Sequence, residues 1–89
     1  MDNWKFVKLA KKSVVDYFNR CKEIADDGQL TTKDVYVVWM CKALQNNKAL
    51  LITAAWDGMY YEVTYSGDKN EMYLDAYKKC DSKCIKIEE

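Results

Sequence analysis

The chain has 89 residues, of which 49% are hydrophobic and 31% are charged, with fourteen acidic side chains balanced by fourteen basic ones. This length predicts one domain, residues 1–89, with a thin core, and the apolar content excludes an intrinsically disordered chain. The zero net charge removes the usual electrostatic basis for a dedicated nucleic-acid binder.

The first predicted element is a long amphipathic helix over residues 3–26. Its apolar side chains recur at steps of three and four residues, which is the helical period: Val7, Ala10, Val14, Tyr17, Phe18, Cys21, Ile24 and Ala25. Asp2 or Asn3 can cap its start, and Gly28 suits the left-handed position after its end. A connector with one short turn, capped by Thr31 or Thr32, is expected next.

After Asp34 the apolar period changes to two, which predicts strands over about 35–44, 49–56 and 59–66. Asn46-Asn47 and Asp57-Gly58 are predicted to form two-residue hairpin loops, because these residue types accept positive φ. With those loops, Trp39 pairs with Ala54 and Ile52 pairs with Val63. One apolar face then results, and we expect the helix to cover it: Val37, Trp39, Cys41, Ala43, Leu50, Ile52, Ala54, Trp56, Met59, Tyr61, Val63 and Tyr65.

The segment 71–79 fits two patterns. Alternation of Met72, Leu74 and Ala76 with polar or tyrosine positions predicts a fourth strand, joined by a four-residue turn at 67–70. A helical stripe through Tyr73 and Tyr77 is the alternative, and we favour the strand. The predicted fold class is therefore α+β, with one long N-terminal amphipathic helix packed on a four-stranded antiparallel meander. Ile85 and Ile87 would lie on a short fifth strand or an extended tail.

Residues 35–79 also carry a family resemblance. The strings VYVVW, KALQNNKALLITAAWDGMYYEVTYSGDKNE and YLDAYKK are similar to a family of short uncharacterised proteins encoded by phages and prophages of Firmicutes-type bacteria. The resemblance implies a phage accessory gene expressed in a bacterial cytoplasm. Small genes of this kind often encode binders that modulate host machinery, whereas no catalytic residue is carried over.

The compartment expected from the residues is also the cytoplasm. Residues 1–8 lack the apolar segment of a secretory signal, and no stretch approaches the about 20 apolar residues of a membrane span. All four cysteines are then expected to be reduced, with Cys21 and Cys41 buried as small apolar side chains.

Catalytic and metal chemistry find little support. Cys80 and Cys84 have the spacing of half a zinc site, but a second close cysteine pair is missing and the chain has no histidine. Glu62 and Asp75 are the only carboxylates that would meet as an acid–base pair, and nothing else converges on them. We therefore expect no catalytic residues, no metal and no cofactor.

Two surfaces remain as candidate binding sites. The first is the sheet face away from the helix, with a partner protein or a second copy as the expected occupant: Tyr36, Met40, Lys42, Leu51, Tyr60, Glu62, Tyr73, Asp75 and Tyr77. On this face Asp75 is predicted to lie opposite Glu62. Either Lys42 or a basic group from a partner would neutralise the pair. The second surface is the helix lysines Lys5, Lys8 and Lys12, which would contact nucleic acid.

The function expected from the sequence is a non-enzymatic protein-interaction module, with a homodimer through the sheet face as the favoured assembly. The first alternative is a nucleic-acid-binding accessory protein that uses the helix lysines. The second alternative is a small-ligand sequestering protein with a tyrosine-lined pocket between protomers.

Overall fold

The structure, a computed structural model, describes residues 1–21, 30–55 and 57–88. Along these residues run helix α1 (Asn3–Cys21), a 3₁₀ turn (Thr32–Asp34) and strands β1 (Val35–Ala43), β2 (Asn46–Thr53), β3 (Met59–Ser66) and β4 (Glu71–Lys78). The strands form one antiparallel sheet in the order β1-β2-β3-β4, so the predicted α+β meander is confirmed, including its fourth strand. The predictions for Ile24, Ala25, Gly28 and Trp56 lie outside the described residues.

Helix α1 begins at a capped turn and packs one stripe on the sheet. The carboxylate of Asp2 accepts a hydrogen bond from the Lys5 backbone amide at 2.8 Å, as expected for an N-cap. The buried stripe is Phe6, Ala10, Val14 and Phe18, so three members of the predicted stripe are confirmed. Phe6 replaces the predicted Val7, and the Cys21 side chain is exposed at the end of the helix rather than buried.

Side-chain hydrogen bonds hold both ends of the described part of the connector between α1 and β1, residues 30–34. The Asn19 side chain donates to the Leu30 carbonyl at 3.1 Å and accepts from the Leu30 amide at 3.0 Å. Farther along, the Asp34 carboxylate accepts from the Thr31 backbone amide at 2.9 Å, which closes the 3₁₀ turn. The expected short turn is thus present, and it brings Lys33 beside α1.

The β1–β2 hairpin turns at Leu44-Gln45, and the prediction of a loop at Asn46-Asn47 is wrong. Leu44 has φ +56°, and Ala43 pairs with Asn46. Both asparagines have other roles: Asn46 Oδ1 accepts from the Gly67 amide at 3.0 Å, whereas Asn47 is fully buried beneath α1. Because the turn lies earlier in the chain, Trp39 pairs with Leu50 and not with Ala54.

The β2–β3 connection is longer than the predicted two-residue loop. β2 ends at Thr53 and β3 begins at Met59, so the connection covers 54–58. Gly58 does have positive φ, at +76°, as expected for this position. Val63 nevertheless pairs with Ala49 instead of Ile52, a slip of three residues. An odd slip moves every side chain of a strand to the opposite face, so Leu51 rather than Ile52 enters the core.

Strand β1 contains an irregularity that exchanges its two faces. Val37 pairs with Leu51, but Trp39 pairs with Leu50, so Val38 is an extra residue at a β-bulge. Before the bulge Val37 packs against the core, and after it Met40 does so in place of Trp39. The helix-covered face is therefore completed by Val35, Ala49, Leu51, Tyr61, Val63 and Tyr65, with Met72, Leu74 and Ala76 packed at the β4 side.

Candidate functional site

The sheet has a second face, opposite α1, which we call the open face. The register places on it Tyr36, Trp39, Cys41, Lys48, Leu50, Ile52, Tyr60, Glu62, Thr64, Glu71, Tyr73, Asp75 and Tyr77. Tyr36 and Tyr77 are 51% and 52% exposed, and Val38 at the bulge, Trp39 and Tyr73 are also exposed. Large aromatic side chains thus lie in the open on both edge strands, β1 and β4.

Six of the nine residues predicted for this face lie on it: Tyr36, Tyr60, Glu62, Tyr73, Asp75 and Tyr77. The placement of Met40, Lys42 and Leu51 is wrong, because the bulge and the odd slip carry them to the helix-covered face. The sequence prediction missed Trp39, Leu50 and Ile52. Their signal was present in the alternating pattern of β1 and β2, but the wrong loops assigned it to the core.

Four side chains form a row across the open face, from Trp39 through Leu50 and Glu62 to Asp75, each paired with the next. The row is apolar on the β1 side and acidic on the β4 side. The predicted juxtaposition of Asp75 with Glu62 is confirmed. Two carboxylates directly across a ladder repel each other, so this half of the row favours a nearby cation.

Lys48 supplies one such cation. Its ammonium lies 3.2 Å from the Glu62 carboxylate on the same face. The two residues are diagonal neighbours, because Lys48 pairs with Thr64, two residues along β3 from Glu62. The predicted neutralising residue, Lys42, instead donates to the Met1 carbonyl oxygen at 3.1 Å on the other face. Within the described chain Asp75 has no ion pair. Its neighbours on β4, two residues away on each side, are Tyr73 and Tyr77.

The open face carries more acidic than basic side chains. Glu62, Glu71 and Asp75 give three carboxylates against the single ammonium of Lys48. Tyr73 donates a hydrogen bond to Glu71, and this bond raises the pKa of the Tyr73 phenol. A tyrosine phenol is neutral at ordinary pH without any shift, so Tyr73 serves here as a flat apolar side chain with a polar tip.

A groove of about 560 Å³ lies where the open face meets the 54–58 connection. Its lining includes Tyr36, Ile52 and Tyr60 from the open face, and Lys79 from the residues that follow β4. The groove extends from the open face to the residues that follow β4. There the Lys79 amide donates a hydrogen bond to the Gly58 carbonyl oxygen at 2.8 Å, and both residues line the groove.

A second, basic groove of about 420 Å³ lies between α1 and the 3₁₀ turn. Its lining is Trp4, Val7, Lys8, Lys11, Lys12, Thr32 and Lys33. Trp4 is 74% exposed, and no ion pair to these lysines occurs in the described residues. Of the predicted nucleic-acid contacts, Lys8 and Lys12 line this groove whereas Lys5 does not.

The cysteines are placed differently from the prediction. Cys21 and Cys41, expected to be buried, are exposed, as are Cys80 and Cys84, and all four are free thiols. Cys41 lies on the open face. In the chain outside 22–29, 56 and 89, no three acidic, cysteine or histidine side chains lie close enough to share a metal ion. The helix that the structure describes is too polar to cross a membrane.

Residues 7–87 match the model of a known protein family. The chain belongs to a family of unknown function, DUF6275. No curated protein and no solved structure matches it. The DUF6275 match runs from the first turns of α1 to Ile87, so it includes the whole open face and nearly all of the segment after β4.

Proposed function

We propose that this member of DUF6275 is a non-enzymatic protein-interaction module that binds its partner through the open face. The observation that carries the proposal is the set of exposed tyrosine and tryptophan side chains on a sheet that α1 covers on one side. An antiparallel sheet tolerates one wet face, but that face is ordinarily polar. Tyrosine and tryptophan are the side chains enriched at the energetically dominant centres of protein interfaces.

The charge of the open face favours a protein over a nucleic acid at this site. Aromatic sheet faces that stack nucleobases need basic groups for the phosphates. Here three carboxylates face one ammonium, so phosphate would be repelled, whereas a lysine or arginine of a protein partner would be attracted.

The biological setting is part of the same proposal. The resemblance of residues 35–79 to phage and prophage proteins supports an accessory protein that acts in the cytoplasm of a bacterial host. A small binder of this kind would modulate a host protein by occupying one of its surfaces.

The test compares partner capture by two variants. In the open-face variant Tyr36→Thr/Trp39→Thr/Tyr77→Thr, the aromatic surface is lost while threonine preserves strand propensity. The matched control is Trp4→Gln, which removes from α1 an aromatic side chain that is more exposed than those of the open face. Immobilised wild-type protein and the control should capture the same host protein, and the open-face variant should lose it. Equal capture by all three would refute the proposal.

The basic groove supports a second candidate, binding of single-stranded nucleic acid. Lysines on the groove rim would neutralise phosphates, and the exposed Trp4 indole offers a stacking surface for a base. Lys8→Gln/Lys12→Gln/Lys33→Gln should then abolish a gel shift that weakens steeply with salt. Lys5→Gln is the matched control, since Lys5 lies on the same helix outside the groove. Absence of any shift with the wild-type protein at low salt would eliminate this candidate.

A further inference from the structure

The segment after β4 is an exposed arm that carries two isoleucines. Residues 80–88, which we call the arm, have no helix or strand and are exposed throughout. Ile85 and Ile87 are 70% and 78% exposed. The Cα radius of gyration is 15.0 Å, against about 12 Å expected for a compact chain of this length. The structure therefore leaves large apolar side chains exposed in two places, the arm and the open face.

The arm and the central row of the open face match in pattern. In an extended backbone alternate residues point the same way, so an arm that binds in extended form would present Lys83, Ile85 and Ile87 on one side. This side has a cation followed by two apolar side chains. The row across the sheet has the same order with opposite charge: the carboxylates of Asp75 and Glu62, followed by two apolar side chains.

The two patterns also match in length. From residue 83 to residue 87 an extended chain covers about 13 Å, at about 3.3 Å per residue. The row crosses four strands, and three inter-strand spacings of about 4.8 Å give about 14 Å. Lys83 can therefore lie at the acidic end of the row while Ile87 lies at its Trp39 end.

From this match we infer that the occupant of the open face is the arm of a second copy of this chain. Each copy gives its arm and receives its partner's arm, which closes a twofold-symmetric dimer. The partner's Lys83 neutralises Asp75, the carboxylate for which the described chain offers no ion pair, and the two isoleucines cover the apolar half of the row. The inference rests on the proposed function, because it takes the open face as a protein-binding surface; a host protein that binds there would compete with the arm of the second copy.

The first experiment measures the mass of the protein by sedimentation equilibrium over a wide concentration range. Wild-type protein should be a dimer, and the arm variant Ile85→Asp/Ile87→Asp should raise the dimer dissociation constant by about 100-fold or more. Its circular dichroism should be unchanged, since the arm does not contact the core. The control Leu44→Asn removes an exposed leucine in the β1–β2 turn, where asparagine also accepts positive φ, and should remain dimeric.

The second experiment tests exchange between copies. The arm variant and the open-face variant, each monomeric alone, should form a heterodimer when mixed, because one intact arm then meets one intact open face. In a Cys21→Ser/Cys80→Ser/Cys84→Ser/Glu88→Cys background, a short bis-maleimide reagent should join the cysteine introduced at position 88 of one copy, beside Ile87, to Cys41 of the other, two residues from Trp39 on β1, and so double the mass on a denaturing gel.

The outcomes separate the inference from the proposed function. A monomeric wild-type protein, an arm variant that stays dimeric, or a link from Cys41 to position 88 formed only within one chain would overturn the arm exchange. If the open-face variant still loses its host partner in any of these cases, the proposed function stands without the inference. If that variant keeps both dimer and partner, both fail.

Discussion

Two adjacent leucines on β2 offer a direct test of the register. Leu51 is fully buried under α1, whereas Leu50 lies on the open face and is half-buried. Truncating either to alanine removes three carbon atoms. At about 0.8 kcal/mol per buried carbon, Leu51→Ala loses about 2.4 kcal/mol of transfer free energy, and the residual cavity raises the cost to about 3–4 kcal/mol. Leu50→Ala leaves no closed cavity and should cost about 1 kcal/mol.

The assay is urea unfolding followed by circular dichroism, in the arm variant so that a second copy does not cover Leu50. The two substitutions have the same chemistry and the same change in strand propensity, so their difference reports burial alone. A gap of about 2 kcal/mol corresponds to about 8–16 °C in melting temperature for a domain of this size. An equal or larger cost for Leu50→Ala would refute the register and favour loops at 46–47 and 57–58.

Three further predictions concern glycines and a buried phenol. Gly58→Val should cost about 1–2 kcal/mol of unfolding free energy, through backbone strain at φ +76° alone, because a Cβ there meets its nearest neighbour at 3.9 Å. Gly67→Ala should cost a similar amount for a steric reason, since its Cβ would lie 2.3 Å from the Gln45 carbonyl oxygen. Chemical denaturation measures the unfolding free energy of both variants. An unchanged unfolding free energy for Gly67→Ala would contradict the close approach of the two turns. Burial, and to a lesser degree the Asp57 charge, raises the pKa of Tyr61 to about 12. Between pH 10 and 12 the unfolded chain loses the Tyr61 proton and the folded chain keeps it, so the free energy of unfolding should fall by up to about 2–3 kcal/mol as pH rises. Tyr61→Phe should flatten this part of the plot of stability against pH. An unchanged plot would show that Tyr61 does not cause the loss of stability.

The parts of the fold that the sequence predicted correctly are those set by patterns longer than one turn. The helix stripe and the period of two after Asp34 specify element types without reference to loops. The β3–β4 register was also predictable, because the four-residue turn at 67–70 agrees with the alternation on both strands. For that reason Glu62, Asp75 and the tyrosines of these strands were placed correctly on the open face.

The errors arise where side chains suited to turns serve another purpose. Asn46 and Asn47 have the composition of a hairpin loop, but one hydrogen-bonds to the β3–β4 turn and the other is buried beside Asn3. Leu44 adopts the positive φ of the turn instead, and a leucine does not indicate such a position in a sequence. The bulge at Val38 has no local signal either, since a run of β-branched and aromatic residues fits a regular strand equally well. These long-range contacts decide the faces of β1 and β2.

The two turns at one end of the sheet are joined by side chains, and this junction holds the two hairpins of the sheet together. The Gln45 side chain donates to Asp68, and Asn46 accepts from the Gly67 amide, so each hairpin holds the tip of the other. At the opposite end, β2 and β3 are joined covalently by the 54–58 connection. The covalent link and the polar clasp therefore hold the same two hairpins at opposite ends. A protease cut within 54–58 should leave two fragments that stay associated and migrate together under native conditions.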